Sequence, residues 1–341
     1  MFRLNRKTPA AEPFAPLLEN ESDDLFSSLE NYASLLIAVS GGGDSMALLT
    51  LVDEWRKRNN KNIKLVAVSV DHRLRAASAE ECRFVARFCE ARSISHLTVA
   101  WEDEKPVTAI QESARAARYE LLAQTARAHN CEAIVTAHTQ DDQAETILMR
   151  LARGSGVIGL KGMNAMSQKC GLPLLRPLLG ISRERLRASL IAAGVMWCED
   201  DSNEDKCFLR PRLRRLLPLL AQEGLDAARF TKISGKLARA NDALDHFTQS
   251  LFDHVRERQM ERSLYRSAPA EIRLRLLQKM IASLHALPYM PGDDQLEDLD
   301  TAICSEADMR RTLAGVIFSA GSRYLRFQAE NDPRKTGHNV R

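Results

Sequence analysis

The sequence predicts a doubly wound parallel α/β sheet joined to a smaller, mostly helical C-terminal domain. Three observations carry that expectation. Four short apolar or β-branched runs alternate with helix-length segments between residues 33 and 151. A glycine triplet ends the first run and opens the first helix. Beyond Gly154 the alternation stops, and from about Leu216 the text is mostly helical.

Taken in order, residues 1–32 read as a loose arm with an amphipathic helix around Asp24–Tyr32. Strands buried on both faces read as continuous apolar runs, which fits Leu35–Ser40, Lys64–Val70, His96–Ala100 and Ala133–Ala137. Helices are expected between and after them, at Asp44–Arg58, Ser78–Ala91, Gln111–His129 and Gln140–Leu151. Arg153–Met163 is glycine-rich, Pro173 and Pro177 bracket an extended apolar stretch, and Ser182 caps a helix reaching Ala193. A boundary near Pro218–Gly224 divides a main domain, 33–220, from 221–341. Strands around Gly315–Phe318 and Tyr324–Phe327 suggest a terminal hairpin. Doubly wound sheets bind ligands beyond the carboxyl ends of their strands, so the loops after Ser40, Val70, Ala100 and Ala137 are where a site is sought.

Composition narrows the class. With 341 residues, 45% hydrophobic and 27% charged, the chain can bury a full core. A net charge of +3 does not by itself announce a nucleic-acid binder, but Arg210, Arg212, Arg214 and Arg215 form a basic cluster. Such a cluster is also what a solvated helix face looks like. Seven cysteines without a C-x-x-C pair argue against a zinc ribbon or iron–sulfur site and fit a reducing compartment. No apolar h-region or membrane-length run is present, so a cytoplasmic protein with no membrane partner is expected.

The strongest motif is Leu36 to Ser45, where a buried strand runs through Ser40, Gly41, Gly42 and Gly43 into Asp44 and Ser45. Glycines let backbone N–H groups converge, and the helix N-terminus adds partial positive charge, which together cradle phosphate. A Walker A loop would place a Lys here. An acid suits the position if Asp44 holds Mg²⁺ between itself and a triphosphate. The plainer alternative is a tight strand–helix turn with Asp44 as a cap.

Ser40-Gly41-Gly42-Gly43-Asp44-Ser45 resembles the PP-loop of the N-type ATP pyrophosphatases, which implies cleavage of ATP to AMP and pyrophosphate with adenylation of a second substrate. Further stretches narrow that resemblance. Asp71-His72-Arg73-Leu74-Arg75, followed by Ser78 and Glu81, is similar to a D-H-G-L-R segment, with Arg73 where glycine is usual and where positive φ is unwelcome. Glu112, Arg115, Arg118 and Tyr119 match E-x-x-R-x-x-R-Y at helical spacing. In Thr136 to Thr146, His138, Asp142 and Glu145 can face one pocket at the end of the fourth strand. Two close carboxylates suit a cationic amine and help remove its proton, since a free lysine amine with a pKa of about 10.4 is mostly non-nucleophilic at neutral pH. They would equally suit a helix N-terminus for electrostatic reasons.

Arg150 to Met163 closely resembles the R-G-x-G-x-x-G-L-x-G-M string of the tRNA(Ile)-lysidine synthetases. Asp201-Ser202-Asn203 and Arg210-Pro211-Arg212-Leu213-Arg214 resemble that family's D-x-S-N and R-N-R-I-R segments, with Pro211 replacing asparagine. The resemblance spans about residues 33–220 and is weaker beyond. It implies a ligase that uses ATP and Mg²⁺ to join free L-lysine to the wobble cytidine of a tRNA(Ile) with a CAU anticodon. It further implies ATP on Ser40–Ser45 and catalytic roles for Asp44, His138, Asp142 and Glu145, with lysine held by the last two. Arg115, Arg118, Arg153, Arg210, Arg212 and Arg214 would meet tRNA phosphates, as would the C-terminal domain. A second copy of the chain, forming a homodimer, is a further candidate partner. The rival within the class is a 2-thiocytidine synthetase, against which the absence of cysteine pairs counts. A tRNA-binding module with a degenerate loop is opposed by the intact Asp44 and Ser45.

Overall fold

The computed structural model describes residues 3–5, 14–71, 73, 77–101, 110–199, 209–285 and 290–330. The chain forms two compact units, Met1–Leu237 and Ala238–Arg341. In the first, the order is β1 (Arg3–Asn5), α1 (Glu19–Phe26), β2 (Ser34–Ala38), α2 (Gly43–Arg58), β3 (Lys64–Asp71), α3 (Ala77–Ala91), β4 (Ser95–Ala100) and α4 (Ile110–Ala128). There follow β5 (Ala133–Val135), α5 (Gln140–Leu151), α6 (Val157–Leu160), β6 (Met166–Lys169), β7 (Leu172–Leu175), α7 (Arg183–Ala192), β8 (Trp197–Glu199), α8 (Leu209–Gln222) and the start of α9 (Ala227–Phe252).

The main sheet has the order β4-β3-β2-β5-β7-β6, parallel except for β6. From β2 the chain steps outward to β3 and β4, then recrosses to β5 on the other side of β2. That reversal opens a crevice at the carboxyl ends of β2 and β5, the place such sheets use for ligands. The continuous apolar run in β2 has a direct cause. Leu35 and Ile37 pack with Val52 and Trp55 of α2, whereas Leu36 packs with Tyr119 and Leu122 of α4.

Four differences from the sequence reading have physical reasons. The first helix begins earlier, because the Leu18 N–H is held by the Glu21 carboxylate at 2.9 Å, and a 3₁₀ turn then covers Ser27–Asn31. A hairpin, β6–β7, occupies the stretch read only as extended. Its two turn residues, Cys170 and Gly171, both have positive φ (48° and 77°), as the tight hairpin turn requires. Pro173 is tolerated because pairing with β5 begins at Leu174. Arg73 does adopt φ 51°, the left-handed conformation for which glycine is the usual choice. Finally, α8 runs through Pro218, and the compact units divide within α9 rather than at Pro218–Gly224. Leu217 and Leu220 of α8 pack with Ala144 and Ile147 of α5 and with Phe230, so α8 belongs to the first unit. The D-x-S-N segment lies outside the described residues, as do His72, Leu74 and Arg75.

The second unit holds the rest of α9, β9 (Gln259–Glu261), α10 (Arg262–Ser267), α11 (Ala270–Ala282), α12 (Asp293–Ser305), β10 (Met309–Leu313), β11 (Val316–Ala320) and β12 (Tyr324–Ala329). The expected hairpin is the centre of a four-stranded antiparallel sheet, β10-β11-β12-β9. Leu276, Met280, Ile303, Phe318 and Phe327 fill its core. Arg262 is buried there, and its guanidinium donates to the carbonyls of Ile303, Ala307 and Gly321.

Candidate active site

The glycine loop is built by three local constraints. Gly41 has φ 85°, and a Cβ there would lie 3.2 Å from the Cys198 sulfur. The Cys198 N–H donates to the Gly41 carbonyl at 2.9 Å, so β8 backs the loop directly. A Cβ on Gly43 would meet the Trp197 ring at 3.4 Å. Ser45 ties the loop to its helix, accepting from the Ser40 N–H at 3.1 Å and donating to the Gly42 carbonyl at 2.9 Å. Gly42 caps α2 with no side-chain acceptor, leaving the first-turn N–H groups and the helix dipole for an anion.

Across the crevice, β5 ends at Val135 and α5 is capped by Thr139. Asp142 closes the capping box, its Oδ2 accepting the Thr139 N–H at 2.9 Å. The preference of an acid for a helix N-terminus and a role in the site are therefore not alternatives at Asp142. One oxygen serves the helix and the other faces a cation. His138 lines the same wall, with Nδ1 2.9 Å from the Thr136 hydroxyl. Burial pushes its imidazole from 6.5 down to about 3, against the pull of Asp142 and with the help of Arg115, Arg176 and Arg210, so the folded chain holds it neutral. As the pH falls from 6.5 towards 3 the unfolded chain takes up a proton that the folded chain refuses. Stability is therefore lost through that window. A His138→Gln variant is expected to show a visibly shallower fall of the urea midpoint between pH 6.5 and 4, and an unchanged slope would show that His138 is not the group responsible.

Arg183 joins the two walls. Its backbone N–H reaches Asp141 at 3.0 Å, and its guanidinium donates to Asp44 (3.1 Å), Asp142 (2.6 Å) and Glu145 (3.1 Å). Arg210 and Arg214, four residues apart on α8, donate to Glu145 at 2.8 Å each. Glu145 is completely buried beneath these three cations, while Asp142 keeps 13% exposure. Burial alone would raise both acids. For Asp142, Arg183, the Thr139 N–H and Arg210 outweigh it; for Glu145, Arg214, Arg183 and Arg210 do so, and both stay below the usual carboxylate range. Asp44 differs, because burial wins over Arg183 and the nearby Asp142 pushes the same way, leaving its carboxyl raised.

Together these groups border a cleft of about 740 Å³. Ser40, Gly42, Gly43, Asp44, Ser45, Arg115, Arg118, His138, Asp142, Arg210 and Arg214 line it, Gly41 turns behind the loop, and Glu145 lies under the arginines. Arg153 and Arg212 are exposed and lie outside the lining. Sequence reasoning passed over Arg183 and Arg187 of α7, and Trp197 and Cys198 of β8. One signal for Arg183 was available. It directly follows the Ser182 cap, where the dipole disfavours a cation, so that position calls for acids from elsewhere.

The glycine-rich string after α5 is architectural. Arg150 donates to the carbonyls of Gly159 (2.6 Å) and Gly162 (2.8 Å), and the Gln143 amide exchanges two 2.7 Å hydrogen bonds with the Met163 backbone. Gly162 has φ 73°, and a Cβ there would sit 2.6 Å from the Gln143 Oε1. Gly162→Ala is expected to cost about 2–3 kcal/mol by urea unfolding, from the left-handed backbone and the displaced glutamine. A cost under 0.5 kcal/mol would refute this role.

A glycine loop beyond the first strand of a doubly wound sheet, facing acids beyond β5 at the strand reversal, defines a PP-loop nucleotide-binding domain. The family model described as the PP-loop domain matches residues 15–220. The tRNA(Ile)-lysidine synthase of Bradyrhizobium sp. (strain BTAi1) is 37% identical over 355 residues, covering 97% of this chain and 99% of that one. That of Bradyrhizobium diazoefficiens is 39% identical over 337 residues, covering 91% and 93%. The chain belongs to the tRNA(Ile)-lysidine synthase family. Among solved structures, the U34-tRNA thiolase NcsA from Methanococcus maripaludis with its 4Fe–4S cluster is similar in fold (TM-score 0.55, 17% identity, 64% of this chain and 76% of that one). Among the described residues no three His, Cys, Asp or Glu side chains group as a metal site, and no helix is long and apolar enough to cross a membrane.

Proposed function

We propose that the chain converts the wobble cytidine of a tRNA(Ile) with a CAU anticodon to lysidine, using ATP and free L-lysine. The observation that carries this reading is the convergence of the phosphate loop and the acid pair on one guanidinium, 3.1 Å from Asp44 and 2.6 Å from Asp142. In this reading the two half-reactions share one cleft. The triphosphate lies on the N–H groups of Ser40–Ser45. Cytidine O2 attacks the α-phosphorus, the bond to the β-phosphate oxygen breaks, and diphosphate leaves. The lysine ε-amine then attacks C2, loses a proton, and the C2–O2 bond breaks to release AMP. Asp142 holds the amine, the sequence's second acid, Glu145, lies buried behind it and fixes the surrounding arginines, and neutral His138 stands beside Asp142 as a hydrogen-bonding partner.

Asp44, with an oxygen donor next to a second carboxylate whose charge raises it further, fits a hard divalent cation. Bound Mg²⁺ would supply charge neutralisation at the phosphates. The arginines on the cleft wall, Arg115 and Arg118, meet RNA phosphates, extended outside it by Arg153 and Arg212 and by the C-terminal unit. Arg210 and Arg214 divide their charge between Glu145 and the incoming phosphates. A target base in an anticodon loop is already largely unstacked, which suits chemistry on its ring. Such substrates place the reaction in the cytoplasm.

The test is incorporation of radiolabelled lysine into tRNA(Ile) with a CAU anticodon, in the presence of ATP and Mg²⁺. ATP-dependent incorporation supports the reading. Diphosphate release without incorporation would keep the ATP chemistry and discard lysine as acceptor, and neither signal from folded protein would discard both.

A further inference from the structure

Arg183 stands out because one side chain serves both halves of the cleft. Leu186 and Leu190 of α7 are buried in the core that also holds α2, which fixes the helix and leaves Arg183 and Arg187 on its cleft side. Each guanidinium nitrogen takes a different acid, Nε on Asp44, Nη2 on Asp142 and Nη1 on Glu145. These partners are unequal in what they have besides Arg183. Glu145 also holds Arg210 and Arg214 at 2.8 Å, and Asp142 has Arg210 at 3.5 Å. Asp44 has no other hydrogen-bonded base among the described residues, and Arg187 acts on it through charge alone.

A cation arriving with the triphosphate competes with Arg183 for Asp44. A lysine ammonium competes with it for Asp142. The guanidinium thus stands where both incoming cations would be neutralised, and at 17% exposure it is largely enclosed there. Losing its Asp44 partner weakens the three-way hold and makes surrender of Asp142 easier. Resting on the function proposed above, we propose that Arg183 is a positioning residue that couples the two substrate sites, keeping the amine site filled by a tethered cation until the nucleotide loop is loaded. Lysine then binds well only after the nucleotide. Early lysine would occupy the cleft without an activated base to attack, and the coupling prevents that order. By reciprocity, lysine tightens nucleotide binding by the same factor.

The experiment measures equilibrium binding of radiolabelled lysine to the full chain, with and without Mg²⁺ and a non-hydrolysable ATP analogue. For the unaltered protein the analogue is expected to tighten lysine binding about tenfold, within the usual range of coupling between sites. In Arg183→Gln the dependence collapses to within about twofold, because no internal cation must be displaced, and lysine binds the nucleotide-free variant more tightly than it binds the nucleotide-free parent. Arg183→Lys keeps the charge but cannot hold three acids, so an intermediate dependence is expected; it also serves if the Gln variant fails to fold. A parent whose lysine affinity ignores the nucleotide overturns the proposal. So does a folded Arg183→Gln variant that loses lysine binding in both states, which would make Arg183 a structural clamp. Incorporation of lysine into tRNA by the parent separates the two failures. If it occurs without coupling, only the role of Arg183 falls; if it does not occur, the proposed function falls with it.

Discussion

Glu145→Gln is expected to destabilise the folded chain by about 3–5 kcal/mol, the usual cost of removing one partner from a buried ionic cluster. The carboxylate is completely buried and receives Arg183, Arg210 and Arg214. A neutral amide has one acceptor oxygen and adds two donors, which face guanidinium groups that only donate. Because Arg210 and Arg214 lie on α8, the loss falls on the packing of that helix against α5 as well as on the cleft. Urea unfolding measures it. A variant within about 1 kcal/mol of the parent would mean that solvent already neutralises the arginines. Activity is lost along with stability, so the variant identifies a foundation of the site without assigning Glu145 a chemical step.

Asp44→Asn is the opposite case. The side chain keeps 28% exposure and a single hydrogen-bonded base, Arg183, so the fold should survive its neutralisation. Diphosphate release is expected to fall by about 10²–10³-fold, the scale seen when a preorganised electrostatic contact to a developing charge is removed. Unfolding within about 1 kcal/mol of the parent is the companion expectation. Release within threefold of the parent would remove Asp44 from the chemistry and leave it as the ion-pair partner of Arg183 in the first turn of α2.

The contrast between these two acids shows what the sequence could and could not reveal. Both were picked out from motifs, and the strands that lead to them were legible because β2 and β5 are buried and almost wholly apolar. Their different burial was not legible, since it depends on where α8 packs. Arg210 and Arg214 read as phosphate contacts because nothing in their own segment marks Glu145, 65 and 69 residues away, as their partner. Arg183 was missed for the same reason: its acids come from three distant positions. The β6 strand escaped because Met166-Ser-Gln-Lys is largely exposed and lacks the apolar signal of a buried strand. Gly162 was recognised as part of a family string, but its requirement for left-handed backbone beside Gln143 needed coordinates.

The short strand β1 pairs with β8 from Arg3↔Glu199 to Asn5↔Trp197, and β8 in turn holds the carbonyl of Gly41. Arg3–Asn5 is thus one strand removed from the glycine loop. A fusion partner, affinity tag or proteolytic nick beside Arg3–Asn5 would register as a change in nucleotide affinity, carried by Trp197, Cys198 and Glu199, which line the cleft. Kinetic constants from amino-terminally and carboxyl-terminally tagged preparations should therefore diverge in their ATP term, and the divergence would read out how stiffly β8 backs the loop.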